Sequence, residues 1–528
     1  MDHPADAPAY RDLLCDRDFV YGVETVPARG IGLPKSFGRL VDEVEALIVD
    51  PRFSWISITD NPGGTPMLPP DWLASALQEY GRRIVVHLSC KDHNRNGLEG
   101  AAWRYASDGF PNILALTGDY PTTGFGGTPE PVFDLDSVGL ISLLKAMNEG
   151  MEVPGRRGQV EKLPATDFYI GCCVSPFKRY ERELMPQYFK LVLKILAGAE
   201  WVIPQLGYDM RKFDEVKLML ASRGIDVPVV GNVYLLTKTV AKIFHSGRLA
   251  GCVVSDELLE QCDKYGAGPD KGKQFFRELA AKQLACFKGL GFAGGYLGGM
   301  ARPEAFADIV DLAESYGRDD WRDFIKEIRF SQPDEFFLFD HDPQTGLCEP
   351  GAFNPEYLRS LARPAKPKEV NLNYRLSRMV HSLAFTRGKR LWGMMRAFFG
   401  RLDKKPEGLA MRSVHAVERG SKSFMYGCQD CGDCSLPDTG YLCPLASCSK
   451  HSRNGPCGGS AAGRCELDDK DCLWARAYER LKYYGESESM LDRPAVLYNA
   501  ARQKTSAWAN TYLDRDHHAP KAKEPEQQ

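Results

Sequence analysis

The chain has 528 residues, of which 43% are hydrophobic and 26% are charged, a composition typical of globular proteins with a substantial core. This length exceeds that of one ordinary domain and predicts a large domain with a smaller companion. A formal net charge of −3 argues against nucleic acid and anionic membranes as partners, and the lack of an apolar leader or of about 18 consecutive apolar residues predicts a cytoplasmic protein.

Strand and helix patterns alternate from residue 19 to about residue 315. Apolar residues at helical spacing, as in 40–48, separate short apolar segments that are typical of buried parallel strands. Eight such units predict an α/β fold, a (β/α)8 or TIM barrel within residues 1–335, with an open doubly wound sheet as the alternative. The predicted strands are 19–24, 55–60, 84–90, 112–119, 168–174, 201–205, 227–232 and 292–297.

The chain changes character after the predicted barrel. Residues 336–423 are predicted to be a linker and a helical segment, whose apolar stripe we expect to pack on the barrel rather than on a membrane surface. Residues 424–515 form a predicted cysteine-rich metal-binding domain with a C-terminal helix, and residues 516–528 a disordered polar tail. The apolar stripe consists of Trp392, Met395, Phe398 and Phe399.

Polar side chains stand where several predicted strands end, which is the ligand-binding side of parallel α/β folds. Glu24 would be a general acid if burial raises its pKa, although a solvated loop carboxylate is the commoner role of such a residue. Asp119 follows a glycine that lets a ligand approach the backbone, and Gln205 offers both halves of its amide to a heterocycle. His87 is more often a hydrogen-bonded core residue.

Eight of the 16 cysteines fall within one short segment near the C terminus. In a reducing compartment this density favours metal or iron–sulfur ligation over disulfides, and the C-x2-C-x2-C start is close to iron–sulfur spacing. Eight thiolates would fill two four-coordinate centres, such as a [4Fe–4S] cluster and a zinc ion, with two structural zinc ions as the alternative. The predicted ligands are Cys428, Cys431, Cys434, Cys443, Cys448, Cys457, Cys465 and Cys472.

Five motifs occur in order along the predicted barrel: VETVPAR, SITD, HLSCKD, LALTGD and AGAEWVIPQ. Together they resemble the methylenetetrahydrofolate reductase family over about residues 15–315. The resemblance implies a (β/α)8 barrel that holds a flavin, FAD or FMN, whose N5 exchanges hydride with a tetrahydrofolate derivative. The implied activity is that of an oxidoreductase interconverting 5,10-methylene- and 5-methyltetrahydrofolate.

The same resemblance assigns roles to individual residues. Glu24 matches the acid that protonates the folate, and Asp119 matches the aspartate near the flavin and pterin. Gln205 and Tyr296 join Asp119 as expected substrate contacts. Thr117 stands where many family members have an arginine beside the cofactor pyrophosphate, so FAD and FMN both remain open. The expected flavin contacts are Thr59, His87, Gly118, Asp119 and Lys194.

The cysteine-rich segment carries a second resemblance, through C-x2-C…TG-x2-CP…C-x-K…RNGPCGG…G-x-CE at about residues 424–475. It resembles a C-terminal domain found with some of these reductases and the zinc/iron–sulfur partner subunit of acetogen-type reductases, which exchanges electrons with the flavin. The electron partner stays open among NADH, NADPH, ferredoxin and another flavoprotein. The direction of the reaction and a homo-oligomeric state stay open too.

Two rival functions remain. A zinc-dependent folate or homocysteine methyltransferase would also be a barrel, with Cys172 and Cys173 as zinc thiolates, although buried cysteines that fill space are the simpler interpretation. A cysteine-rich platform for nucleic acid or a protein partner is disfavoured, because neighbouring aspartates offset Lys450, His451 and Arg453.

Overall fold

The structure is a computed structural model that describes residues 8–16, 18–30, 34–156 and 159–520. Its strands are β1 (Val20–Thr25), β2 (Trp55–Ile58), β3 (Ile84–Ser89), β4 (Asn112–Leu116), β5 (Glu152–Pro154), β6 (Val160–Lys162), β7 (Tyr169–Val174), β8 (Trp201–Pro204), β9 (Val230–Tyr234), β10 (Gly294–Gly298), β11 (Phe339–His341) and β12 (Cys348–Phe353).

Helices separate most of these strands and account for most of the regular secondary structure in the second half of the chain. They are α1 (Tyr10–Cys15), α2 (Pro34–Val49), α3 (Pro70–Ala76), α4 (Arg95–Ser107), α5 (Ser137–Glu149), α6 (Glu181–Leu196), α7 (Met210–Ser222), α8 (Lys238–His245), α9 (Asp256–Gly266), α10 (Lys273–Gly289), α11 (Pro303–Ser315), α12 (Trp321–Glu327), α13 (Pro355–Ala362), α14 (Leu372–Ala384), α15 (Arg390–Leu402), α16 (Leu409–Tyr426), α17 (Pro444–Ser447), α18 (Leu473–Lys482) and α19 (Ala507–Tyr512). None of the described helices is long and apolar enough to cross a lipid bilayer.

Eight parallel strands form the barrel in the order β8-β7-β4-β3-β2-β1-β10-β9. The ring closes between β8 and β9, where Val202 pairs with Val229 and donates its N–H to the Pro228 carbonyl at 2.9 Å. The TIM-barrel prediction is therefore confirmed, and every predicted strand overlaps an observed one. Strand β9 begins at Val230, later than predicted, and the preceding Pro228 has no N–H to give to a ladder.

Aromatic rings fill the barrel interior where the strands begin. Trp55 and Trp201 are fully buried, and Tyr10 of α1 lies against both, with ring centroids 4.7 and 5.2 Å away. Glycine makes room for them, because a Cβ on Gly22 would lie 2.1 Å from the Trp55 ring and one on Gly171 would lie 2.2 Å from the Trp201 ring. This packing plugs one end of the barrel and leaves the C-terminal ends of the strands for ligands.

Helix α18 joins the cysteine-rich region to the barrel by packing along α6. The Tyr478 hydroxyl donates to Glu181 at 2.5 Å, and its ring centroid lies 6.2 Å from that of Phe189. Asn454, in the loop before α18, reaches further and hydrogen-bonds Asp136 at the start of α5. The two regions therefore share one continuous interface.

Two expectations for the C-terminal half need correction. The apolar stripe of α15 packs on α19 instead of the barrel: the Trp392 and Phe399 rings lie 4.8 and 5.3 Å from the Tyr512 ring. That partner is more than a hundred residues away, and nothing in the stripe itself specifies it. Residues 516–520 of the expected disordered tail lie against the cysteine-rich region, where the His517 side chain is 3% exposed. Residues 521–528 of that tail lie outside the described residues.

Candidate active site

A cavity of about 280 Å³ opens at the C-terminal ends of the barrel strands. The structure brings all the barrel residues of the predicted site to its wall, although they come from seven different strands or the loops and helices that follow them. Parallel strands present their carboxyl ends at one edge, which explains why residues so distant in sequence meet here. These residues are Glu24, Thr59, His87, Gly118, Asp119, Lys194, Gln205 and Tyr296.

Glu24 is held in the cavity wall by a short chain of hydroxyl groups. The Tyr296 hydroxyl, on the neighbouring strand β10, donates to Glu24 Oε2 at 2.9 Å and lies 2.5 Å from Ser57 Oγ on β2. Burial raises the pKa of Glu24 above its usual range, and the hydrogen bond from Tyr296 offsets part of this effect. A carboxyl group in this setting holds a proton more readily than a solvated one, as a general acid must.

Two polar atoms in the wall have no protein partner. Within the described part of the chain, Thr59 Oγ1 and His87 Nε2 are buried and accept or donate no hydrogen bond. Burial lowers the pKa of His87 to about 3, so its imidazole is neutral at physiological pH. Buried polar groups are nearly always paired, so these two fit a polar ligand that completes them.

Gly118 and Asp119 shape the cavity beside these atoms. Gly118 has φ +90°, and a Cβ there would come within 3.1 and 3.2 Å of the Ser89 and Lys91 side chains. The missing side chain also leaves the backbone open to a ligand. Asp119 accepts a hydrogen bond from the Gly63 N–H at 2.8 Å, which fixes one carboxylate oxygen at the rim.

Gln205 and Lys194 each use part of their hydrogen-bonding capacity on other groups of the protein. Gln205 Oε1 accepts the Leu206 N–H at 2.9 Å, which leaves the amide NH₂ as a donor toward the cavity. Lys194 Nζ donates to the Cys173 carbonyl at 2.6 Å, and two of its three protons remain for a ligand.

The far wall of the cavity comes from the cysteine-rich region, which sequence reasoning missed. Lys450 Nζ pairs with Glu466 at 2.6 Å and donates to the Gly118 carbonyl at 3.1 Å. Lys178 Nζ donates to the Gly458 carbonyl at 2.6 Å. The wall residues are Lys450, Pro456, Cys457, Gly458, Gly459 and Glu466, all within or near the RNGPCGG motif.

A buried ion pair fastens this wall to the barrel. Lys190 Nζ lies 3.8 Å from Asp136, with side chains only 2% and 1% exposed, and it donates to Ser452 Oγ and the Gly455 carbonyl at 3.1 Å each. Asn454 donates to both Asp136 oxygens, at 3.0 Å from its side chain and 2.8 Å from its backbone. Burial alone would raise the pKa of Asp136, but Lys190 and Asn454 outweigh it and hold that pKa below its usual range.

Comparison with known families matches both halves of the chain. A family model for methylenetetrahydrofolate reductase matches residues 10–312, more than half of the chain. The chain belongs to the methylenetetrahydrofolate reductase family. A second model, for the C-terminal part of methylene-tetrahydrofolate reductases, matches residues 410–498 and so covers the cysteine-rich region of this family member.

Individual relatives are distant. Methylenetetrahydrofolate reductase 2 of Saccharomyces cerevisiae is 28% identical over 218 residues, 41% of this chain and 34% of its own length. The 5,10-methylenetetrahydrofolate reductase of Pectobacterium carotovorum is 25% identical over 211 residues, 40% of this chain and 62% of its own length. The matches thus span about a third to three fifths of these curated reductases.

Among solved structures, a Clostridium thermocellum protein that binds two copies of 5-methyl-5,6,7,8-tetrahydrofolic acid is similar at a TM-score of 0.40 and 11% identity. The likeness covers 57% of this chain and 96% of that one.

The eight thiols of this family member divide into one set that lines a common pocket and a second set whose members influence one another's pKa values. Cys428, Cys431, Cys434 and Cys443 line one pocket beneath α16. Burial, together with the charges of its three neighbours, raises the pKa of Cys431 to about 12. A metal ion would relieve the repulsion among these four groups in their charged form, because metals bind thiolates rather than thiols.

The second group forms beside the active-site cavity. Burial raises the pKa of Cys472 to about 12, with Cys457 and Cys448 adding to the effect, and Cys465 acts in the same way on Cys448. Cys457 also lines the cavity itself. Spacing along the chain left this grouping open, because the groups depend on how the loops fold back.

The paired cysteines of strand β7 do not form a zinc site. Cys172 belongs to the core between the barrel and its helices, whereas Cys173 packs with the barrel interior. Successive strand residues point to opposite faces, so the two thiols cannot share one ion. Burial raises their pKa values to about 11 and about 12, which keeps both protonated. This removes the observation that supported the methyltransferase.

Proposed function

We propose that the chain is a flavin-dependent methylenetetrahydrofolate reductase that interconverts 5,10-methylene- and 5-methyltetrahydrofolate. The observation that carries the proposal is one cavity holding a buried carboxyl group with a raised pKa, Glu24, together with the unpartnered polar atoms of Thr59 and His87. The first suits proton transfer to a folate, and the second suits a bound flavin. Family membership supports the same reaction.

Each residue of the cavity then has a task. Thr59, His87, Gly118 and Lys194 would hold the flavin, whose chemistry when bound is hydride exchange at N5. Asp119 and Gln205 would bind the pterin, with the Gln205 NH₂ as the free donor. Glu24 would give its proton to the folate nitrogen that leaves the methylene bridge, and take it back in the reverse direction.

Tyr296 positions Glu24 and has a second effect on its chemistry. Its hydrogen bond stabilises the charged carboxylate, so the acid keeps a pKa from which it can both donate and recover a proton. The wall that carries Lys450 and Cys457 covers the cavity from the other side. A covered cavity keeps bulk water from a reactive iminium of the opened folate.

The cysteine-rich region would relay electrons to or from the flavin. In support, one of its thiols, Cys457, lies in the cavity wall, and each set contains four thiols, the number of ligands that a [4Fe–4S] cluster or a zinc ion takes. We propose one such centre in each group. The outer electron partner would be NAD(P)H or a separate redox protein.

An anaerobic absorption spectrum of the purified chain, with iron and zinc analysis, tests this function most directly. Flavin bands that bleach on addition of 5-methyltetrahydrofolate, and a broad iron–sulfur shoulder, are expected. A colourless protein that contains zinc alone would contradict the proposal.

Single cysteine substitutions assign the metals to the two thiol groups. Cys431→Ser and Cys465→Ser each remove one ligand from a different group. We expect each variant to lose one centre and retain the other, because the groups are separate in space. Iron and zinc content measured on both variants reads out the assignment, and equal loss of both metals in both variants would refute two independent centres.

Leucine in place of His87 should have opposite effects on the flavin-free and flavin-loaded protein. Removing a buried unsatisfied nitrogen should stabilise the flavin-free form by about 1–3 kcal/mol. Loss of the contact should weaken flavin binding by about tenfold, the equivalent of one hydrogen bond. Thermal unfolding with and without flavin, and equilibrium dialysis, measure the two effects.

Tyr10→Phe is the matched control for His87→Leu. The Tyr10 hydroxyl is also buried without a partner in the described chain, but it lies at the plugged end of the barrel. This control should share the gain in stability and leave flavin affinity unchanged. Equal flavin affinity in all three proteins would show that His87 does not contact the cofactor.

A further inference from the structure

The chain's last described turn brings two histidines onto one aspartate. His517 Nε2 lies 2.9 Å from Asp438 Oδ2, and His518 Nε2 lies 2.8 Å from Asp438 Oδ1. The three potential ligand atoms, one from each residue, all lie within 4.8 Å of one another. Each histidine thus meets a different oxygen of the same carboxylate, and one atom from each of the three residues lies close enough to the others to bind a single ion.

A second carboxylate orients the more buried of the two rings. His517 Nδ1 lies 2.6 Å from Asp433 Oδ1, and Arg502 donates to the other Asp433 oxygen at 3.3 Å. Metal-binding histidines commonly donate one ring N–H to a carboxylate in this way, which fixes the tautomer and leaves the other nitrogen free to bind an ion. Asp433 is therefore an orienting residue, and the ligand set is Asp438 with the two histidines.

The cluster is largely buried but borders an open cavity. The His517 and Asp438 side chains are 3% and 10% exposed, whereas His518 is 37% exposed. Asp438 and His518 also line an aromatic cavity of about 480 Å³. Three protein ligands beside an open cavity leave a coordination position for water or a small ligand, the arrangement of catalytic rather than purely structural zinc sites.

We propose that Asp438, His517 and His518 form a binding site for a divalent first-row transition ion, with zinc as the fitting occupant. Two imidazoles and one carboxylate are donors that zinc accepts. The site contains no thiolate and is distinct from both cysteine groups. It is also independent of the proposed reductase activity, since none of its ligands lines the active-site cavity.

Metal analysis of the full chain tests the site by difference. His518→Gln is the principal variant, because its exposed side chain can change without disturbing the core, and Asp438→Asn removes the central ligand. Both should lose about one zinc per chain relative to the wild type while iron and flavin content stay constant. His245→Gln is the matched control, since His245 pairs with a single carboxylate, that of Asp256, at 2.7 Å; it should retain the wild-type zinc content.

Cobalt titration of the metal-depleted chain provides an independent readout. Cobalt on nitrogen and oxygen ligands gives weak visible bands without the intense near-ultraviolet charge transfer of cobalt thiolates. We expect one equivalent of this thiolate-free signal in the wild type and in His245→Gln, and none in His518→Gln. Equal zinc content together with equal cobalt signals across the four proteins would overturn the proposal, whatever the result for the flavin and folate.

Discussion

Glu24→Gln should slow the reoxidation of reduced flavin by 5,10-methylenetetrahydrofolate by about 10²–10⁴-fold, the usual contribution of a general acid. The amide has nearly the same shape and can still accept the Tyr296 hydrogen bond, but it has no proton of suitable pKa to give. Flavin content should be unchanged, because the expected flavin contacts are other residues. Anaerobic stopped-flow absorbance of the pre-reduced protein mixed with 5,10-methylenetetrahydrofolate measures the rate.

Tyr296→Phe separates proton transfer from general damage to the cavity. This variant keeps the Glu24 carboxyl group and loses only the hydrogen bond that lowers its pKa. Its activity should fall less, and because the acid must be protonated to act, the alkaline limb of its pH profile should move to higher pH. Flavin reoxidation at a near-normal rate in Glu24→Gln would refute the acid role.

Asp136→Asn should destabilise the folded chain by about 3–5 kcal/mol, the usual cost of leaving a buried charge without its partner. The asparagine can still cap α5 through its side-chain oxygen, as Asp136 does with the Val138 and Gly139 N–H groups. What remains is the Lys190 ammonium, buried and without a counter-charge. Urea unfolding followed by tryptophan fluorescence measures the change in midpoint.

The double variant Asp136→Asn/Lys190→Met tests whether the unpaired charge of Lys190 causes the loss of stability. Removing the ammonium as well should recover much of the lost stability, since a buried pair replaced as a whole costs far less than one broken in half. Arg223→Gln is the matched control for a change of charge, because its pair with Glu488 at 2.7 Å is partly exposed and should contribute at most about 1 kcal/mol. If Asp136→Asn were as stable as the wild type, the ion pair would have no role in fastening the cavity wall.

Within the barrel, the sequence carried most of the information needed. Strand composition and alternation with helices predicted all eight barrel strands, and the position of Glu24, Asp119 and Gln205 at strand ends predicted that they meet at one edge of the barrel. The reason is physical: parallel strands have a local signature, and a closed barrel places their ends together. The roles of individual residues are harder to predict from the sequence, because the burial that raises the pKa of Glu24 depends on neighbours from distant strands.

Contacts between segments that lie far apart in the sequence could not be predicted. Lys450 meets the Gly118 carbonyl across more than 300 residues, and Trp392 meets Tyr512 across more than a hundred. The periodicity and spacing of residues in the sequence do not predict such contacts, because each segment could pack against many partners of similar polarity. The same holds for the thiols, where Cys443 joins the first group and Cys448, close behind it, joins the second.

Because residues 450–466 complete the cavity wall, the order of synthesis would matter for binding of the proposed flavin. The barrel leaves the ribosome long before these residues do, and until then its cavity is open on the side that Lys450 and Cys457 later cover. A nascent chain therefore offers a wide entrance to a bulky cofactor. Once the second half docks, the same cofactor would be trapped, and its release would require the docked half to lift.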